Sequence, residues 1–190
     1  LAFELSHKNS RVFVSSGNVK GKEHRKSNNF NAIEVDGASS SCILKYGLTG
    51  KTVEKVESFC QEEKGMGIGF EGALLGFKNN QVKHTRRIYL SENGDEVIGE
   101  DSITNALDTV KAFFHIHPRY SINITDPYNC EIILDGNAIA NFKVAGGRLN
   151  QDQTHICEER GITKNKHTII VTNKVNDKET VLRWAISFID

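Results

Sequence analysis

TVLRWAISFI, Thr180 to Ile189, puts Leu182, Trp184, Ile186 and Phe188 on one side of an extended chain and Val181, Arg183, Ala185 and Ser187 on the other. Period two marks a strand with one buried face, because successive side chains of an extended backbone point to opposite sides. The same reading predicts strands at Arg11 to Val14, Ala32 to Val35, Val82 to Leu90, Glu96 to Ile103, Lys111 to His117, Ser121 to Thr125, Glu131 to Leu134, Ile139 to Val144 and Thr168 to Thr172. No window of helical length holds a period of about 3.6 residues; only Thr104 to Val110 is short and polar enough to form a turn or two.

The punctuation agrees with strands. Asp36-Gly37, Asn93-Gly94, Asp135-Gly136 and Gly146-Gly147 each lie between candidate strands, where glycine supplies the positive φ of tight turns, so antiparallel hairpins in a meander are expected. The prolines, Pro118 and Pro127, fall at strand ends, where a missing N–H is tolerated. Glu62 to Gly76 carries Gly65, Gly67, Gly69, Gly72 and Gly76 but lacks the Lys-Ser ending and the following helix of a phosphate-binding loop; it reads as a glycine-bent strand pair. Gly17 to Asn31 is polar and basic, the composition of an exposed loop. Together these readings predict an all-β fold, an antiparallel multi-stranded β-sandwich of the supersandwich kind, as a single domain over residues 1–190.

Composition narrows the partners. A chain of 190 residues suffices for one well-buried core. With 24 Lys plus Arg against 24 Asp plus Glu, no long-range field draws in nucleic acid, anionic lipid or an acidic polysaccharide, so a polyanion must be held by a local patch. Apolar runs are far shorter than the roughly 18 residues of a membrane span. Neither nucleic acid nor membrane is an expected partner. Leu1 is neither an initiator Met nor the start of a signal peptide, which reads as an internal boundary of a larger protein. Cys42, Cys60, Cys130 and Cys157 form no CxxC pair; free thiols and disulfides both stay open.

Few residues invite chemistry. His115 and His117 alternate on a predicted strand, the spacing at which two imidazoles can share a metal, but no third ligand is near, and both are assigned to the fold. No metal and no cofactor is expected. His24 and Arg25, with Lys20, Lys22 and Lys26, make either a solvated loop or a contact for a carboxylated or sulfated sugar. His84 and Lys83 lie beside Arg86 and Arg87, which alternation sends to opposite faces, as it does Glu100 and Asp101, so paired-carboxylate glycosidase chemistry has no support. There is no Gly-x-Ser-x-Gly elbow, and no catalytic residue is assigned.

Longer motifs then carry a resemblance. Leu1-Ala2-Phe3-Glu4-Leu5-Ser6, Arg11 to Gly17 (RVFVSSG), Arg25 to Gly37 (RKSNNFNAIEVDG), His84 to Asp101, Phe114-His115-Ile116-His117-Pro118 and Arg183-Trp184-Ala185-Ile186 resemble, in order and spacing, segments of the heparinase II/III-like polysaccharide lyases. That resemblance implies the C-terminal sandwich of a two-part enzyme whose N-terminal α/α toroid is absent here. It implies β-elimination on a uronate-containing polysaccharide bound between the parts: a base takes the C5 proton, an acid protonates the departing oxygen, and the carboxylate is neutralised. The toroid supplies much of that machinery, so the chain alone is expected to be inactive. An envelope or periplasmic location is implied by the family alone.

The match places Arg25 and Asn31 on motif positions, and with the weaker His24 they are the expected substrate contacts. It also fails at two positions the family associates with a metal: Ser15 stands where an Asp is found and Phe30 where a His is found. These departures keep open a noncatalytic glycan- or partner-binding sandwich. Loss of a toroid would also expose a formerly covered face, so self-association through it is expected.

Overall fold

The computed structural model describes residues 1–16, 26–40, 53–63, 67–77, 81–159 and 162–189, and of the side chains at 53–55, 62–63, 157–159 and 162–163 only the backbone is described. Among the described residues fifteen strands run in chain order: β1 (Leu5–His7), β2 (Ser10–Phe13), β3 (Ile33–Val35), β4 (Ala38–Ser39), β5 (Val53–Glu63), β6 (Gly67–Gly76), β7 (Val82–Ser91), β8 (Glu96–Thr104), β9 (Thr109–His115), β10 (Ser121–Asp126), β11 (Asn129–Leu134), β12 (Asn137–Ala145), β13 (Arg148–Glu159), β14 (Ile162–Lys174) and β15 (Glu179–Phe188). A single 3-10 turn, Ser27–Asn29, is the only helical element among the described residues. The strands form an eight-stranded sheet (β10-β11-β12-β15-β8-β7-β6-β5), a five-stranded sheet (β13-β14-β9-β3-β4) and the β1-β2 ribbon, all antiparallel. The all-β sandwich expected from the sequence is what the chain forms.

The 180–189 stretch becomes β15, in the middle of the larger sheet. Leu182, Trp184 and Ile186 are buried and Phe188 half-buried, as the alternation demands. The core lies between the two large sheets. Phe114 of β9 sits 4.9 Å from Phe142 and 5.1 Å from Trp184, ring centre to ring centre, and Phe3 stacks on Trp184 at 5.2 Å. Gly99 lies opposite Trp184 on β8, and a Cβ there would fall 2.0 Å from the indole, so glycine makes room for the ring.

Three expectations change in detail. No helical turn forms over Thr104 to Val110. Strand β8 runs through Thr104, Asn105 turns with a φ of 65°, and the Asp36 carboxylate accepts N–H bonds from Leu107, Asp108 and Thr109 at 2.9, 2.8 and 3.0 Å, doing what helical carbonyls would otherwise do. The Gly146-Gly147 turn is no hairpin: it carries the chain from β12 in one sheet to β13 in the other. Gly146 has a φ of 79°, and a Cβ there would meet the Val181 carbonyl oxygen at 2.1 Å. Strands β5 and β13 were not foreseen, because both are edge strands of their sheets among the described residues, with mostly exposed side chains and no apolar alternation to announce them. Cys60 is an exposed free thiol and Cys130 a buried one, pushed up to about 12 by burial; Cys42 and the Cys157 side chain lie outside the described residues.

A charged cluster is buried beside the aromatic core. Arg86 of β7 pairs in register with Asp101 of β8, giving Nε to Oδ1 at 2.6 Å and Nη2 to Oδ2 at 2.9 Å. His84 Nε2 lies 2.7 Å from the same Oδ1, and Trp184 Nε1 donates to Oδ2 at 3.2 Å. The remaining Arg86 donor, Nη1, reaches the carbonyls of Leu1 and Asn31 at 2.8 and 2.7 Å, with the Phe3 ring 5.3 Å from the guanidinium. Burial alone would raise the Asp101 carboxyl, but the Arg86 charge and the His84 and Arg86 hydrogen bonds hold it well below the usual carboxylate range. Asp101→Asn is therefore expected to destabilise the chain by about 3–5 kcal/mol, since it strands a buried guanidinium, whereas Arg86→Met with Asp101→Leu should recover most of that loss. Urea unfolding of the three proteins checks this, and an Asp101→Asn cost under about 1 kcal/mol would count against it.

Candidate functional site

Residues 14–16 and 26–31 run alongside β9 and bring Ser16 and the carbonyls of Asn28 and Phe30 to the outer face of the five-stranded sheet. Their position is fixed by backbone bonds: Val14 N–H to the His115 carbonyl and Phe113 N–H to the Ala32 carbonyl, each at 2.9 Å, and Ser16 N–H to the Asn29 carbonyl at 3.0 Å. Strand β9 turns Phe113 and His115 to this face and Ala112, Phe114 and Ile116 to the core. Strand β14 adds Lys166 and Thr168 beside them, Thr168 being the cross-strand partner of His115. These side chains are buried, which is unusual for lysine.

Asn31 is the pin of this arrangement. Its Oδ1 accepts the His115 N–H at 2.7 Å, its Nδ2 donates to the Phe3 carbonyl at 2.8 Å, and its own carbonyl receives Arg86. It is fully buried, with both ends of its amide engaged by backbone. Of the other expected contacts, His24 and Arg25 lie outside the described residues; Lys26 opens the described part of the loop.

Sequence reasoning missed Lys166, Ser16 and Glu4. The Lys166 ammonium donates to Ser16 Oγ at 3.0 Å, and among the described residues no carboxylate lies within ion-pair distance of it. Burial lowers Lys166 from its ordinary 10.5 to about 7, with Glu4 pulling weakly the other way. His115 Nδ1 shares a hydrogen bond with Thr168 Oγ1 at 2.8 Å, and Thr154 Oγ1 lies 2.7 Å beyond. Its Nε2 is buried without a well-formed hydrogen bond among the described residues, although the carbonyls of Asn28 and Phe30 are close enough to favour a proton there. Burial, then the Lys166 charge, pushes the imidazole down to about 3, so it is neutral at physiological pH. Nearby, the Glu4 carboxylate accepts the Ser15 N–H at 3.0 Å and the Ser15 hydroxyl at 2.5 Å, with Arg11 at 3.4 Å. Burial alone would raise Glu4, but these bonds and the Arg11 charge lower it.

The chemistry available is that of a charge-poor polar floor with one amine that changes protonation near neutral pH. His115 and His117 do not come together as ligands: β9 ends at His115, and the His117 ring packs against Tyr120 instead. Ser15 is spent on Glu4 and Phe30 offers no donor, so the residues at these two positions do not fit a metal; among the described residues no group of three His, Cys, Asp or Glu could hold one. Because folding lowers the Lys166 pKa, the folded chain binds fewer protons than the unfolded one between about 7 and 10.5, so stability rises with pH across that window and the penalty is full below it. Lys166→Met should raise stability at pH 7 and remove that rise; a parallel pH dependence of the urea midpoint in both proteins would contradict this.

The comparisons fit this geometry. The model of the family described as heparinase II/III-like, C-terminal, matches residues 1–185. Among solved structures, the chain superposes on the heparan sulfate lyase HepC from Pedobacter heparinus with a TM-score of 0.79 at 10% identity, covering 100% of this chain and 30% of that one. It superposes on heparinase III, the BT4657 gene product with methylated lysines, with a TM-score of 0.73 at 15% identity, covering 99% and 29%. At such identities the likeness is one of fold, and the chain spans under a third of those proteins' length. No curated protein matches by sequence. The match over residues 1–185 shows that this chain belongs to the heparinase II/III-like C-terminal domain family.

Proposed function

We propose that this chain is the sandwich part of a polysaccharide lyase, which works with an α/α toroid on an acidic, uronate-containing polysaccharide by β-elimination and is inactive alone. The family match over residues 1–185 carries the reading. Relatives of the same fold are named as a heparan sulfate lyase and a heparinase III, which favours a glycosaminoglycan.

In such an elimination the substrate carboxylate must be neutralised before the C5 proton becomes acidic enough to leave. Arg25 and His24 are the proposed contacts for acidic groups. Asn31 enters as a positioning residue, because its amide ties the end of the loop to β9 and to the N-terminal segment. Lys166 meets Ser16, which is tied to the same loop through the Asn29 carbonyl, and adds a cation when protonated. A noncatalytic glycan-binding role is the second reading, favoured by Ser15 and Phe30 at positions where the family has an Asp and a His.

The test is the ultraviolet absorbance of the unsaturated uronate product on heparan sulfate, hyaluronan and alginate, using the chain alone and a longer protein that joins it to a toroid. A rise from the longer protein only supports a lyase; no rise from either on any substrate favours the binding role. In an active longer protein, Arg25→Ala should raise KM without lowering the melting temperature. Asn31→Ala should lose about 1–3 kcal/mol of stability, because it leaves the buried His115 N–H unsatisfied. The reverse pattern would exchange their roles.

A further inference from the structure

The outer face of the eight-stranded sheet, on the far side of the sandwich from Lys166 and Asn31, carries a row of charges that alternates in sign. Glu71 on β6, Arg87 on β7, Glu100 on β8 and Arg183 on β15 are direct cross-strand neighbours. Arg87 Nε donates to Glu71 at 2.6 Å and its Nη1 to Glu100 at 3.0 Å, while Arg183 Nε donates to the other Glu100 oxygen at 2.7 Å. The row ends on Phe59, opposite Glu71 on β5, and on Ala145, opposite Arg183 on β12. The next row along the strands is Gly69, Tyr89, Ile98 and Ala185. Phe59, Tyr89 and Ile98 border a hollow of about 470 Å³ whose lining includes Gly69, and Phe59 is 62% exposed.

We propose that this face pairs two copies of the chain about a two-fold axis running parallel to the strands, midway between β7 and β8. That operation sets each position against its mirror position in the row. Arg87 then faces Glu100 of the second copy, and Glu71 faces Arg183 of the second copy. Along the next row Tyr89 meets Ile98 and Gly69 meets Ala185, while the protruding Phe59 meets the small Ala145. A two-fold along the row would instead oppose like charges, so the sequence of signs selects one of the two axes.

The area suffices. Six strands spaced about 4.8 Å apart and about ten residues long present roughly 1,000 Å² per copy, at least the contribution of one partner to a standard-size stable interface. The row carries no net charge, and neither does the chain, so the row offers a polyanion no excess of positive charge and a second copy no net repulsion. The pairing leaves both candidate sites facing outward and does not depend on the chemistry proposed for them.

Light scattering after size exclusion, over a wide range of chain concentration, tests the pairing. The unaltered chain should be a dimer, and Arg87→Glu and Glu100→Arg should each be monomeric with the circular dichroism spectrum of the parent. Each reversal sets like charges together twice in a symmetric dimer, and a weakening of at least about 100-fold is expected. Mixing the two variants should restore a dimer, because each altered residue then faces its complement; a merely misfolded variant could not do this. A monomer at every concentration, dimeric single variants, or a mixture that stays monomeric would each overturn the proposal.

Discussion

The buried pair of Arg86 and Asp101 is the constraint on which the rest of the chain depends. A guanidinium and a carboxylate out of water are tolerated when their polar atoms are engaged, and here every nitrogen and oxygen is: by each other, by His84 and Trp184, and by two backbone carbonyls from outside the sheet. Those carbonyls belong to Leu1 and Asn31. The pair thus fastens both the N-terminal segment and the loop of the candidate site to the middle of the larger sheet. Phe3 completes the link by stacking on Trp184 beneath Arg86.

From that anchor the site follows by short steps. Arg86 fixes the Asn31 backbone, the Asn31 amide fixes His115 and Phe3, and the Asn29 carbonyl holds Ser16, whose hydroxyl meets Lys166. The result is a site whose framework is rigid while its single buried amine is set by burial near the point of half-protonation at neutral pH. On the opposite sheet the same pleat that buries Arg86 and Asp101 exposes Arg87 and Glu100, so one pair of strands serves an internal anchor on one face and an ion-pair row on the other.

Much of this was legible in residues. Alternation in Thr180 to Ile189 gave the central strand and its buried face, and the turn at Asn93-Gly94 gave the β7–β8 hairpin. Counting outward from that turn pairs Arg86 with Asp101, a signal present in the sequence that was read only as far as which face each side chain occupied. Edge strands β5 and β13 were hidden because a strand with little to bury has no apolar period. Lys166 was hidden for a different reason: the Ser16 hydroxyl that meets its ammonium comes from 150 residues away in the chain, and no local pattern encodes that. Gly146-Gly147 looked like the other turns because a sheet-to-sheet crossing and a hairpin use the same positive φ.

The measurement that bears most directly on the central claim is an amide chemical-shift map of the chain titrated with a heparan sulfate oligosaccharide. Shifts concentrated in residues 26–31, at the end of β9 and around Lys166 are the predicted result. Shifts concentrated instead over Glu71, Arg87, Glu100 and Arg183 would contradict the placement of the site on the five-stranded sheet.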